Sequence, residues 1–120
     1  MPANLIADQG AARPDFVLGD RFGTSCNGEL TRLAASQLKA QGYAVALNKP
    51  YAGGYITEHY GRPHKAQHVL QIEINRALYM DETSFDKSSG FERLRGDLEA
   101  MVRALVAGIP GLAIPRAAAE

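Results

Sequence analysis

The sequence predicts a layered α/β fold, and three adjoining segments carry that prediction. Residues 15–19, "DFVLG", and residues 43–47, "YAVAL", are short apolar runs typical of buried strands. Between them, residues 28–41 repeat their apolar positions at helical spacing. A helix between two short strands is the βαβ pattern, which places the two strands parallel in one sheet. The apolar positions of the helix are Leu30, Leu33, Ala34 and Leu38.

Polar residues and a glycine mark where this helix begins and ends. Oxygens able to cap the N-terminus are available on Thr24, Ser25 and Asn27. Gly42 is placed to follow the last turn, where a left-handed residue commonly ends a helix. Residues 1–14 show no periodicity and contain two prolines and a glycine, which predicts irregular chain.

A third strand follows a long connection. Residues 48–67 are rich in glycine and proline, and a connection of that length is usually either functional or disordered. Its three tyrosines argue against disorder. Residues 68–75, "HVLQIEIN", are the strongest strand prediction. Because side chains alternate along a strand, its two faces carry different residues. The apolar face has Leu70, Ile72 and Ile74, and the opposite face has Val69, Gln71 and Glu73.

The last predicted element is a helix from Phe91 to about Ala107. Ser89 and Glu92 have the spacing of a capping box at its start. Residues 108–120 begin with glycine and proline and continue as an alanine-rich stretch, which predicts a frayed tail. The apolar stripe of the helix comprises Phe91, Leu94, Leu98, Met101, Val102 and Leu105.

Length and composition restrict the class of protein. A chain of 120 residues is the size of one domain, and 46% apolar with 22% charged residues is typical of a soluble globular protein. Lys+Arg and Asp+Glu balance at 13 each, so the electrostatic attraction to nucleic-acid phosphates is missing. The apolar stretch at residues 101–105 is interrupted by Arg103 and is too short for a membrane span. We therefore expect neither a nucleic-acid nor a membrane partner.

The single cysteine bears on the compartment. Cys26 has no second cysteine with which to form an internal disulfide, which favours a reducing cytoplasm. The N-terminus lacks the basic and apolar regions of a secretory signal. Free cysteine usually behaves as a small buried hydrophobe, and we expect that of Cys26.

Glu73 is the residue that the pattern singles out for chemistry. It lies between two isoleucines on a predicted interior strand, where desolvation penalises the charged carboxylate and suits it to act as a general base. An ion pair with Arg62 or Arg76 explains the same residue without catalysis. The residues alone leave these two interpretations level.

Three histidines, two in the connection and one directly after it, offer a weaker signal. His59, His64 and His68 lie within ten residues of one another. Zinc needs three protein ligands in a fixed geometry, and this spacing favours solvated or hydrogen-bonding loop histidines over a metal site.

Three segments in order resemble a known family. "RPDFVLGDRFGTSC" (13–26), "NKPYAGGYITEHYGRP" (48–63) and "HVLQIEINRALYMDE" (68–82) are similar to the C-terminal half of the N-formylglutamate amidohydrolases, also called N-formylglutamate deformylases. The resemblance covers about residues 1–107. That family resembles the zinc carboxypeptidases and aspartoacylases, which implies part of a three-layer α/β/α sandwich with a mixed or parallel sheet, of the phosphorylase/hydrolase-like kind. All of residues 1–120 would then form the C-terminal portion of one such domain.

The resemblance also implies roles for individual residues. "GGYITEHY" is similar to the carboxypeptidase segment whose tyrosine caps the substrate, and that tyrosine falls on Tyr60. Thr57 of the same segment is expected to bind substrate as well. The glutamate that activates the zinc-bound water falls on Glu73. Arg62 is the expected partner of a substrate carboxylate, because a guanidinium binds a carboxylate through two parallel hydrogen bonds.

The implied reaction is metal-assisted hydrolysis of an N-acyl amino acid. The family's best-known reaction is deformylation of N-formylglutamate in histidine breakdown. Zinc would lower the pKa of its water and polarise the formyl carbonyl, while the glutamate transfers the proton to the leaving amine. Arg21 and Arg76 are weaker candidates for substrate binding, since structural or surface charge explains each of them.

The chain also departs from the family. Full-length members take their zinc ligands from an upstream half, which ends in an Asp-x-His-Ser segment followed by a Met-Pro-like stretch. "MPANL" resembles that following stretch, so we expect no metal ligand in this chain. Either the chain is a fragment or it is a short protein that has lost hydrolysis. In both cases we expect no deformylation by the 120 residues alone, and self-association through an exposed sheet edge.

A function of another class stays open at this point. Tyr60 and Arg62 without a metal would make a non-catalytic carboxylate-binding or interaction module.

Overall fold

A mixed three-stranded sheet organises the computed structural model, which describes Met1 and residues 13–112. The strands are β1 (Phe16–Gly19), β2 (Val45–Leu47) and β3 (Gln71–Ile74), in the order β2-β1-β3. β2 pairs with β1 in parallel, which confirms the prediction from the βαβ pattern. β3 pairs with β1 in the antiparallel direction, with Val17 opposite Glu73 and Gly19 opposite Gln71. Of the two predicted alternatives, the sheet is therefore mixed.

Two long helices cover one face of the sheet. They are α1 (Gly28–Ala40) and α3 (Phe91–Gly108), which contact each other along their lengths. Phe16 and Leu18 project from β1 into this core and are fully buried. From the helices the core receives Ala34, Ala35, Leu38, Leu94 and Met101. The described residues thus show helices on one face, and the third layer of the predicted sandwich stays a prediction.

Both ends of α1 lie where the sequence predicts them. The side chain of Asn27 accepts a hydrogen bond from the backbone N–H of Glu29, as an N-cap residue does. Gly42 has φ +96°, so the residue after the last turn is left-handed as predicted.

The predicted capping box of α3 is wrong. Gly90 occupies the N-cap position, and neither Ser89 nor Glu92 makes a capping hydrogen bond there. Instead the carbonyl of Ser88 accepts from the N–H of Phe91. A Cβ on Gly90 would collide with the carbonyl oxygen of Leu78, so packing against the preceding turn fixes this start. Val102 of the predicted stripe is also exposed, at 51% of its surface, whereas Leu94 and Met101 are buried.

The other boundaries differ in smaller ways. The connection of residues 48–67 contains a short helix, α2 (Tyr55–Tyr60), and a 3-10 turn at Pro63–Lys65. The third strand is shorter than its predicted range of 68–75. The predicted tail is helical at Gly108 and forms a 3-10 turn at Ile109–Gly111, while its last eight residues lie outside the described ones. Most of the predicted irregular N-terminal segment, residues 2–12, also lies outside them. None of the described helices has the length and apolar character needed to cross a bilayer.

Candidate functional site

A cleft of mixed polar and apolar lining opens beside the carboxyl ends of the parallel strands β1 and β2. Its volume is about 400 Å³. In α/β sheets this end of the parallel strands is where ligands usually bind. The cleft is lined by Arg21, Pro50, Tyr51, Ala52, Gly53, Gly54 and Gln71.

The cleft exists because the loop after β2 lies directly against the end of β1. A Cβ on Gly19 would lie 2.6 Å from the carbonyl carbon of Ala52, so only glycine permits this approach. The N–H of Arg21 donates to the carbonyl of Ala52 at 2.8 Å. The side chain of Asn48 accepts from the N–H of Asp20 at 3.0 Å and donates back to its carboxylate at 3.0 Å. These bonds fix the two loops to each other.

Gln71 links the cleft to Glu73. Its side-chain oxygen accepts from the N–H of Gly54 at 3.0 Å, and its amide nitrogen donates to Oε1 of Glu73 at 3.1 Å. Both side chains project from the same face of β3 and are half-buried. The prediction that alternation places Gln71 and Glu73 side by side is confirmed. The hydrogen bond from Gly54 also orients the Gln71 side chain, which the sequence pattern did not predict.

The proposed ion pair of Glu73 is absent from the part of the chain that the structure describes. Arg62 donates to the carbonyl of Gly61 at 2.9 Å, and Arg76 pairs with Glu82 at 3.5 Å. The charged group that Glu73 influences is the amino group of Met1. Burial lowers the pKa of that amino group, and the negative charge of Glu73 opposes the change.

The three residues predicted to bind substrate lie on or just after α2 and do not line the cleft. The ring of Tyr60 is half exposed and meets His59 edge-on at 4.6 Å. Thr57 is only 2% exposed, and its hydroxyl donates to the carbonyl of Gly54. Arg62 is exposed, with its guanidinium on backbone carbonyls. Their roles toward a substrate stay predictions, and Thr57 visibly supports the backbone of the cleft.

Arg21 occupies the cleft although the sequence ranked it below Arg62. Its guanidinium donates to the carbonyl of Gly53 at 3.1 Å and pairs with Glu58 at 3.4 Å. Arg21 and Phe22 both have positive φ, 53° and 56°, and that unusual backbone turns the chain at the end of β1. A position two residues after a parallel strand was the available signal for Arg21. Tyr51, whose hydroxyl accepts from Arg13 at 2.9 Å, was missed as a lining residue.

His59, His64 and His68 do not form a metal site with one another in the described part of the chain. Nδ1 of His68 accepts from the N–H of Asn27 at 3.0 Å, and the ring of His59 stacks on Tyr55 at 4.9 Å. Within Met1 and residues 13–112, no group of three His, Cys, Asp or Glu side chains is placed to hold a metal ion. Cys26 is fully buried, and burial raises the pKa of its thiol, as expected of a small interior residue.

The known proteins that are similar to this chain belong to one family. The family model described as N-formylglutamate amidohydrolase matches residues 1–80, two thirds of the chain. The chain belongs to the N-formylglutamate amidohydrolase family. This confirms the resemblance read from the three segments, whereas the relation to zinc carboxypeptidases stays a prediction.

Individual members of the family are similar over part of their length. N-formylglutamate deformylase from Pseudomonas aeruginosa is 46% identical over 70 residues, covering 58% of this chain and 26% of that protein. The enzyme of that name from Pseudomonas putida is 45% identical over 71 residues, covering 58% and 27%. The crystal structure of N-formylglutamate amidohydrolase from Ralstonia eutropha JMP134 matches with a TM-score of 0.83 and 37% identity, over 93% of this chain and 42% of that one. The chain thus spans about a quarter of the two curated relatives that it matches.

Proposed function

We propose that the cleft binds an N-acyl amino acid of the N-formylglutamate type, and that Glu73 is the base in hydrolysis of its amide bond. Membership of the family supports the substrate class. The observation that carries the role of Glu73 is its hydrogen bond from Gln71, which itself lines the cleft and holds the N–H of Gly54. A half-buried carboxylate that is oriented by a side chain lining the cleft is suited to proton transfer.

Glu73 and Gln71 have separate tasks in this proposal. Gln71 donates to Oε1 of Glu73, which leaves Oε2 to accept a proton from the attacking water. The protonated carboxyl then returns the proton to the leaving amine nitrogen. Gln71 is a positioning residue, because it acts on the reaction only through the orientation of Glu73.

Arg21 is our proposed partner for a carboxylate of the substrate. Its guanidinium lies at the cleft, and the side chain of its ion-pair partner, Glu58, is 68% exposed. Such exposed pairs contribute only about 0–1 kcal/mol, so a substrate carboxylate can replace Glu58 at low cost. Tyr60, expected to cap the substrate, is the last residue of the helix that carries Glu58, and Arg62, expected to bind its carboxylate, follows two residues later. In this proposal both approach the substrate from that side.

Zinc is expected for the family, but the described residues do not fit a zinc ion, because no three suitable side chains come together among them. We therefore assign no step of the reaction to a metal, and propose that zinc ligands lie outside the described residues. Action in the cytoplasm and in histidine breakdown likewise stays a proposal.

A chimera tests the assignment of Glu73. The 70-residue segment of the Pseudomonas aeruginosa deformylase that matches this chain is replaced by the segment from this chain, and formate release from N-formylglutamate is measured. We expect the chimera to be active and Glu73→Gln to reduce kcat by about 10²–10⁴, the usual contribution of a general base. KM and the urea midpoint should change little, because glutamine is nearly isosteric.

Two results would overturn the assignment. One is a chimera that unfolds cooperatively but releases no formate. The other is a Glu73→Gln variant with the rate of its parent. Gln71→Glu serves as a matched variant, since it keeps the side-chain length but places a second carboxylate beside Oε1 of Glu73, and we expect it to shift the pH profile of kcat rather than KM.

A carboxylate-binding module is the second candidate, and the position of Arg21 favours it independently of catalysis. Calorimetric titration of the 120-residue chain with N-formylglutamate in the presence of EDTA separates the two. Binding that Arg21→Gln abolishes, together with an inactive chimera, would favour the module.

A further inference from the structure

The turn that follows β1 has a left-handed backbone at three residues in a row. They are Arg21, Phe22 and Gly23, with φ of 53°, 56° and 87°. Glycine adopts this conformation freely, whereas arginine and phenylalanine rarely do, because a Cβ atom crowds the backbone there. Strained backbone of this kind persists only where the surrounding contacts fix it, and it is concentrated at functional sites. The contacts that hold the turn therefore decide how Arg21 reaches the cleft.

The loop after β2 holds this turn through its backbone N–H groups. The N–H groups of Asp20 and Phe22 both donate to Oδ1 of Asn48, at 3.0 and 3.2 Å. Between them, the N–H of Arg21 donates to the carbonyl of Ala52 at 2.8 Å. The side chain of Asn48 thus binds the backbone on both sides of Arg21.

Asparagine meets two requirements at position 48. Asn48 is itself left-handed, with φ 62°, and its N–H donates to the carbonyl of Leu18 at 2.8 Å. Asparagine and aspartate tolerate this backbone better than other residues that have side chains. Of the two, only asparagine can also donate a hydrogen bond, and Nδ2 of Asn48 donates to Oδ1 of Asp20 at 3.0 Å. An aspartate at this position would place a second carboxylate beside that of Asp20.

The buried carboxylate of Asp20 connects these bonds to the core. Its Oδ1 also accepts from the N–H of Gly23 at 2.9 Å, and its Oδ2 accepts from the hydroxyl of Thr31 in α1 at 2.8 Å. A buried carboxylate keeps such donors in place, because a polar group left unpaired away from water is costly. The turn is therefore fixed to α1 as well as to the loop after β2.

We infer that Asn48 is a positioning residue for carboxylate recognition, because it holds the turn that directs the guanidinium of Arg21 to the cleft. Arg21 lines the cleft and donates to the carbonyl of Gly53 at 3.1 Å, whereas Asn48 itself does not line the cleft. Asn48 therefore acts on a bound carboxylate through Arg21. The inference rests on the proposed role of Arg21 and adds the residue on which that role depends.

Calorimetric titration of the 120-residue chain with N-formylglutamate in the presence of EDTA tests the inference. Asn48→Gly deletes the side-chain bonds but tolerates the left-handed backbone. We expect Arg21→Gln to raise Kd by about 10- to 100-fold, as loss of a hydrogen bond to a charged group does, and Asn48→Gly to raise it by about tenfold. In the Arg21→Gln background, Asn48→Gly should change Kd by less than about twofold, because the group that it positions is already absent.

Exchanging the two side chains provides a rescue. Asn48→Asp alone should raise Kd, because its carboxylate repels that of Asp20. Adding Asp20→Asn restores one donor and one acceptor between the two positions. The introduced amide still offers an oxygen to Thr31, and the N–H of Gly23 keeps the backbone carbonyl of residue 20, to which it also donates at 3.2 Å. We expect the double variant to recover most of the lost affinity.

Asn75→Gly controls for a general loss of stability. It removes a side-chain bond to the N–H of Ala77 away from the cleft, so it should lower Tm without changing Kd. The inference is overturned if Arg21→Gln raises Kd but Asn48→Gly does not, if the two effects simply multiply, or if the exchanged pair gives no recovery. If Asn48→Gly fails to fold, the exchanged pair decides. A parent chain that binds no N-formylglutamate, or an Arg21→Gln variant with the parental Kd, would overturn the proposed role of Arg21 and the inference with it.

Discussion

The two faces of the sheet divide stability from chemistry. The packed face, which carries Phe16 and Leu18, is fully buried under α1 and α3. The cleft face, which carries Val17, Gly19, Gln71 and Glu73, adjoins the cleft and presents the polar side chains of β3 to it. Both faces belong to the same strands, since alternate residues of a strand point in opposite directions. Substitutions of Phe16 or Leu18 should therefore affect folding most, whereas substitutions of Gln71 or Glu73 should affect the site.

Truncation on the packed face should give the largest effect on stability. Phe16 is fully buried, and its ring meets Tyr43 edge-on at 5.0 Å. We expect Phe16→Ala to lower the free energy of unfolding by about 3–5 kcal/mol, through lost burial and the cavity left behind. Urea unfolding followed by circular dichroism measures the change.

Glu73→Gln is the matched substitution on the cleft face, and we expect its unfolding free energy to lie within about 0.5 kcal/mol of the parent. If Phe16→Ala fails to fold, Phe16→Leu should still cost about 1 kcal/mol, because volume is nearly retained. Equal losses from Phe16→Leu and Glu73→Gln would contradict the division between the faces.

Adding one methyl group to the cleft face should give an intermediate effect. A Cβ on Gly19 would lie 2.6–2.8 Å from the backbone of Ala52 and Gly53, which cannot yield as a flexible side chain does. We expect Gly19→Ala to cost about 1–3 kcal/mol and to move the loop that lines the cleft. The amide resonances of Gly53 and Gly54 should shift while those of α3 stay in place.

Gly96→Ala provides the control for this glycine. Gly96 lies inside α3 with nothing within 4 Å of an added Cβ. Alanine there should stabilise the helix by about 1 kcal/mol, because glycine is a poor helix former. A stabilising Gly19→Ala would show that the loop does not depend on the close approach.

The packed face was largely predictable from the sequence because its signals are local. Helical periodicity marked α1 and α3, and period-two alternation placed Ile72 and Ile74 together. Alternation likewise placed Gln71 beside Glu73. The capping box failed because the packing of Gly90 on Leu78, a contact between turns, decides where α3 begins.

The arrangement of the cleft face was not predictable from the sequence, because it depends on contacts between residues that are distant in sequence. Gly54 bonds to Gln71 across 17 positions of sequence, and Arg21 reaches the cleft through a left-handed backbone. The prediction that residues of α2 bind substrate rested on a sequence motif alone. A motif does not specify which side chains of a segment face the cleft. Residue type alone therefore did not predict which side chains line the cleft.

The smallest predicted effect is a pH dependence on the packed side. The hydroxyl of Tyr43 donates to Oδ2 of Asp97 at 2.5 Å. Burial, and then the hydrogen bond and charge of Asp97, raise the pKa of Tyr43 to about 12. Because an unfolded tyrosine has a pKa of about 10, the contribution of this group is complete below pH 10 and is lost as pH rises to about 12.

Urea unfolding between pH 8 and pH 12 tests that dependence. Tyr43→Phe should cost about 0.5–1.5 kcal/mol at pH 8, the usual value of one hydrogen bond, and the difference from the parent should shrink toward pH 12. Asp97→Asn keeps an acceptor oxygen but removes the charge, so its pH dependence should lie between those of the parent and Tyr43→Phe. A constant difference across this range would mean that Tyr43 does not couple ionisation to folding. The packed face would then respond only to the loss of volume, which would make its contrast with the charged cleft face complete.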